Sequence, residues 1–137
     1  MITTPFEMAL TFQGVKEVGG MLDNPFIMSF LSTDDDWPKH DEVPWCSGFV
    51  NFICKCCVLQ RSKSLAAKSW IEYGLFIDPT QCEIGFDVVV FEHHVGFFAG
   101  FNTMRTKVKV LGGNQSNSVN ITEFDVTKVL GYRRLKS

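Results

Sequence analysis

The chain has 137 residues, 45% hydrophobic and 20% charged, which suits one globular domain with an ordinary core and excludes a disordered composition. Its net charge is −2 and it has no basic block, so nucleic acid is not an expected partner. No apolar run approaches the ~20 residues of a membrane span, so no membrane insertion is expected. The opening "MITTPFEMALTFQG" lacks the pattern of an export signal, so synthesis in the cytoplasm and a separate release route are expected.

In chain order, the first half reads as helical. Thr4-Pro5 starts a helix with Glu7 in its first turn, and Phe6, Ala9 and Leu10 give it an apolar side before Gly14 and the closing Gly19-Gly20. "DNPFIMSFLS" supplies a second start, with Asn24 as N-cap, Pro25 at the first helical position, and Phe26, Ile27, Phe30 and Leu31 on one face. Residues 33–44 are polar, contain two prolines and predict a loop carrying His40. The spacing of Phe49, Val50, Ile53, Cys54 and Cys57 predicts a buried helix from Ser47 to about Leu59. A short helix is expected from Ser64 as N-cap to Gly74 as its terminator.

The second half changes period. "DVVVF" (87–91), "VGFFAGF" (95–101), "KVKVLGG" (107–113), "SVNITEF" (118–124) and "VLGYRR" (129–134) are β-branched and aromatic runs separated by turn residues. Helices followed by a strand meander predict an α+β domain over residues 1–137, with an antiparallel sheet of about five strands packed by the helices.

Five cysteines in such a chain favour free thiols. Cys46 follows Pro44-Trp45 and opens the predicted buried helix, where unpaired N–H groups and the helix dipole favour a thiolate and could hold an oxyanion. Cys54, Cys56 and Cys57 lie beyond that terminal field. Of three histidines, His40 sits in the polar loop, whereas His93 and His94 stand at a strand junction. Alternation sends one of these two toward the site and the other away. Counting back from a turn centred near Met104 sets His94 opposite Asn114, whose amide would orient the imidazole. The set is then Cys46 as nucleophile, His94 as base and Asn114 as orienter. Zinc is a rival reading of "CKCC" with "HH", but the paired C-x₂-C halves of a zinc site are missing, so no metal and no cofactor are expected.

"PWCSGFVNF", "SLAAKSWIEYG", "DVVVFE", "HVGFFAG", "VLGGNQSNSV" and "VLGYRR", in that order, resemble the NlpC-type and CHAP domains, papain-like cysteine hydrolases. The likeness is to the compact single-domain versions of bacteriophages and bacteria, and it covers nearly the whole chain. It implies a nucleophile helix packed on a central antiparallel sheet, with catalytic roles at Cys46, His94 and Asn114. The substrate it implies is bacterial peptidoglycan, cut at an amide bond by an endopeptidase or an N-acetylmuramoyl-L-alanine amidase acting as a monomer. Trp45, His93 and Gln115 are candidate substrate contacts. Trp45 stands where many relatives have Asp, His93 where they often have Gly, and the link between "VVVF" and "HVGF" is short. A phage endolysin released by a holin is the expected setting. The alternatives are an antibacterial effector, a deamidase or acyltransferase of the same fold, and a non-catalytic wall-binding domain.

Overall fold

The structure, a computed structural model, describes residues 4–17, 24–33 and 45–137. The Gly19-Gly20 stop and nearly all of the loop expected over 33–44, with His40, lie outside the described residues.

Local chemistry accounts for the first helices. α1 (Pro5–Leu10) begins with a capping box: the Thr4 hydroxyl accepts from the Glu7 N–H at 3.1 Å, and the Glu7 carboxylate accepts from the Thr4 N–H at 3.2 Å. In α2 (Pro25–Leu31) the Asn24 amide oxygen accepts from the Phe26 N–H at 2.9 Å. α3 (Cys46–Cys56) buries Phe49, Val50, Ile53 and Cys54. Two polar residues on it, Ser47 and Asn51, are buried as well.

The segment expected to be helical from Ser64 is instead a 3₁₀ turn over Ala67–Glu72. The Ser64 hydroxyl does accept from the Ala66 N–H, but the Ser64 carbonyl is occupied by donors from Ser47 and Asn51. A carbonyl already bonded to α3 side chains is not free to open a regular helix.

Among the described residues six strands form one antiparallel sheet: β1 (Leu75–Phe76), β2 (Asp87–Phe91), β3 (Val95–Phe101), β4 (Lys107–Gln115), β5 (Ser118–Asp125) and β6 (Val129–Arg134). The order is β1-β6-β2-β3-β4-β5. β1 was not foreseen; its two residues are exposed and pair only with Arg134 and Arg133, too short a run to leave a period. β2 to β5 form the expected meander, while β6 returns to β2 and makes it an interior strand, buried along its whole length.

The sheet has two unlike faces. On one, Phe30, Trp45, Phe49 and Ile53 from the helices pack on Val88, Val90, Val95, Phe97 and Leu111. On the other, Val89, Phe91, Phe98, Val110 and Tyr132 form a second core, which no α-helix among the described residues covers. Each buried aliphatic or aromatic side chain contributes about 1.5–3 kcal/mol relative to exposure. The helix-covered face therefore fixes where α3 begins.

Candidate active site

Cys46 is the first residue of α3, and its N-cap, Trp45, makes no side-chain cap. The first-turn N–H groups are thus left for other partners. Backbone N–H groups of Val95, Ser47 and Cys46 itself face the sulfur. Val95 follows His94 directly, so the sulfur lies within about one peptide unit of that residue's backbone. Burial nonetheless dominates and pushes the thiol up from its ordinary value, with the N–H groups only partly offsetting it. The direction of this shift runs against the expected helix-acidified thiolate.

His94 ends the β2–β3 turn, where its carbonyl accepts from the Phe91 N–H at 2.8 Å. Its ring lies beside Phe91 and Phe124, with centroids at 6.0 and 5.3 Å. Its Nε2 is 2.8 Å from Gln115 Oε1. The Gln115 NH₂ group donates to the Val110 carbonyl at 3.2 Å, the Asn120 carbonyl at 2.7 Å and Asn120 Oδ1 at 2.9 Å. Those three acceptors fix which end of the amide is oxygen, so Nε2 must carry the proton that it donates. Nδ1 keeps the free lone pair. Burial lowers the His94 pKa, and the Gln115 hydrogen bond opposes this in part. Both shifts favour the neutral forms of thiol and imidazole, and among the described residues no hydrogen bond joins the two side chains.

The amide hydrogen-bonded to the imidazole is that of Gln115, not Asn114. Counting agrees at Phe97↔Leu111 and Phe98↔Val110, while nearer the turn a bulge pairs Phe101 with Val108. Beyond them β4 contains a bulge: Gly112 pairs with Asn120, but Gln115 pairs with Ser118, so β4 holds one extra residue. Asn114 occupies that bulge at φ 58°, a left-handed conformation that asparagine tolerates. The displaced register carries the Gln115 side chain to the imidazole. Gly112 and Gly113 make room: a Cβ on Gly112 would lie 2.6 Å from Gln115 Oε1, and one on Gly113 would lie 2.7 Å from the Trp45 ring.

Trp45 is also corrected. It is only 1% exposed, stacks on Phe30 at 5.9 Å, and donates from Nε1 to Glu17 at 2.9 Å. It anchors the head of α3 and lines neither cavity of the site. His93 opens onto a cavity of about 310 Å³ with Cys46, Leu65, Ala67, Lys68 and Glu92. His94 opens onto another, of about 370 Å³, with Asn114, Gln115, Thr122 and Phe124. The adjacent histidines therefore face different cavities flanking the site. Lys68 and Glu92 form an exposed ion pair at 3.2 Å beside the first.

Sequence reasoning missed a buried network behind the sulfur. The Ser47 hydroxyl donates to the Ser64 carbonyl at 2.6 Å and accepts from Trp70 Nε1 at 2.8 Å. Asn51 donates to the Ser47 and Ser64 carbonyls and accepts from the Lys63 N–H at 2.9 Å. The available signal was a polar pair at i, i+4 inside an apolar helix. Among the described residues, no three His, Cys, Asp or Glu side chains gather as a metal site.

No protein-family model matches the chain, and no curated protein matches it. Solved structures do. The P60 domain of an antigen from M. avium paratuberculosis superposes with a TM-score of 0.58 at 15% identity, covering 96% of this chain and 90% of that one. RipD from Mycobacterium tuberculosis, described as a non-catalytic NlpC/p60 domain protein adapted to peptidoglycan binding, superposes at 0.56 and 15% identity, covering 98% and 94%. The chain therefore has the papain-like α+β fold of the NlpC/P60 domains.

Proposed function

We propose that the protein is a cysteine hydrolase that cuts an amide bond of peptidoglycan, as an endopeptidase or amidase. The observation that carries the reading is the Gln115–His94 hydrogen bond, which leaves Nδ1 as the free base on the residue whose neighbour, Val95, directs its N–H at the Cys46 sulfur. In this mechanism Nδ1 takes the thiol proton as sulfur attacks the amide carbon. The N–H groups of Cys46 and Ser47, at the head of α3, hold the oxyanion; losing one such donor typically costs about 3 kcal/mol. The imidazolium then protonates the leaving amine, and water activated by Nδ1 hydrolyses the thioester. The cavities on either side of the pair take the acyl and leaving-group portions of the substrate. An endolysin or a secreted antibacterial effector would each use this chemistry.

A second reading is non-catalytic wall binding. It is favoured by the shift of both groups toward their neutral forms and by the description of RipD. Purified peptidoglycan separates the two. The hydrolase releases new amino groups, and Cys46→Ala retains the fold but releases none. Sedimentation of the protein with the wall, without amine release by the unaltered chain, ends the hydrolase proposal in favour of binding.

A further inference from the structure

The amide that meets the His94 ring is itself held by a residue on the next strand. Ser116 and Asn117 turn the chain in left-handed conformations, at φ 52° and 62°, and so join β4 to β5 by a two-residue hairpin turn. Gln115 pairs with Ser118 across that turn, and Asn120 stands opposite Gly112, past the bulge. Asn120 thereby reaches Gln115 at both ends. Its Oδ1 accepts from the Gln115 side-chain NH₂ at 2.9 Å, and its Nδ2 donates to the Gln115 backbone carbonyl at 2.7 Å.

The senses of these bonds fix one another. The Ser118 hydroxyl donates to the Gln115 carbonyl at 3.1 Å and accepts from Asn120 Nδ2 at 2.7 Å. The Thr122 hydroxyl donates to Asn120 Oδ1 at 2.5 Å. Reversing the Gln115 amide alone would set its oxygen against three others, two of them from Asn120. Reversing both amides would restore agreement between the two side chains but turn Asn120 Oδ1 against the Gln115 carbonyl. One sense satisfies every group, and in it Gln115 presents oxygen to His94 Nε2. Gln115 is 5% exposed, so a reversed amide would find little water to replace its lost partners.

We infer that Asn120 is a positioning residue: it holds the Gln115 amide oxygen against His94, and so keeps the ring proton on Nε2 and the free lone pair on Nδ1. Its value to catalysis rests on the hydrolase reading, whereas the positioning itself does not.

The test observes the His94 ring of the full chain by proton–nitrogen NMR at about pH 8, above the ordinary imidazole pKa, and follows exchange of its Nε2 proton with water. In the unaltered chain Nε2 is expected to carry the proton. Asn120→Ala removes two bonds to Gln115 and is expected to speed that exchange about tenfold or more. The backbone amides of Val88 and Phe97, paired inside the sheet, report global stability and should keep their rates. Thr122→Val removes only a hydroxyl, is expected to speed the exchange about threefold, and serves should Asn120→Ala fail to fold. On peptidoglycan, Asn120→Ala is expected to lower kcat about tenfold with KM unchanged. Amine release absent from the unaltered chain would end the hydrolase reading, while the exchange rates would still support the clamp. A ring proton found on Nδ1, unchanged exchange in both variants, or acceleration shared equally by Val88 and Phe97 would overturn the proposal.

Discussion

The sulfur and the imidazole are positioned by different means. Cys46 stands on a helix whose back is tied down by buried hydrogen bonds through Ser47, Asn51 and Trp70, and whose head is pinned by Trp45 on Glu17. His94 stands on a strand end and is held by one amide that reaches it through a bulge. The helix side resists displacement because many buried polar groups would lose partners together. The strand side depends on register, and one residue more or less would remove the amide hydrogen-bonded to the imidazole. Chemistry should therefore be most sensitive to single changes on the strand side, and stability to changes behind the helix.

The largest effect tests whether the sulfur reacts at all. Cys46→Ala is expected to lower peptidoglycan amine release by about a thousandfold or more. Cys54→Ala, buried two turns further along the same helix, should leave it intact. On the strand side, Gln115→Ala should cut kcat by roughly tenfold to a hundredfold, less than the loss of a whole acid–base group. Asn114→Gly keeps the left-handed bulge and should change little. Equal losses in these two variants would mean that Asn114, not Gln115, orients the base.

Behind the helix the readout is stability. Ser47→Ala strands the Trp70 indole N–H and should cost about 1–3 kcal/mol in urea unfolding. Gly113→Ala forces a Cβ against the Trp45 ring and should cost about 1–3 kcal/mol as well. Wild-type stability in both would show that the α3 anchor lies elsewhere.

Changes in pH give smaller effects of defined sign. The folded His94 pKa lies below its ordinary 6.5, and the base must be neutral, so the acid limb of kcat/KM should fall below pH 6.5. The same shift costs stability as pH drops from 6.5 toward the folded value, because the unfolded chain takes up the proton first. An acid limb above 6.5 would contradict the burial of His94. The smallest test is labelling: near neutral pH, iodoacetamide should modify exposed Cys56 before buried Cys46. Prior labelling of Cys46 would reveal a resting ion pair.

Much of this was legible without coordinates because the rules involved are local. Thr4 with Glu7, and Asn24 with Pro25, specify helix starts within a few residues. The five long strands carry their period and branched side chains in sequence. The head of α3 and the strand junction at His94 could be located from the same signals, and counting gave the observed β3–β4 pairing at Phe97↔Leu111 and Phe98↔Val110, though not at Phe101, which pairs with Val108 across a bulge.

Only tertiary structure decided the rest. A bulge at Asn114 sets the Gln115 amide, rather than that of Asn114, against the His94 ring, since one left-handed residue shifts the register while barely marking the sequence. Burial under Phe30 turns Trp45 from a candidate groove wall into an anchor, and desolvation outweighs the helix-end N–H groups at Cys46. Local propensity fixes where elements begin; which side chain meets which, and in what charge state, depends on packing across the sheet.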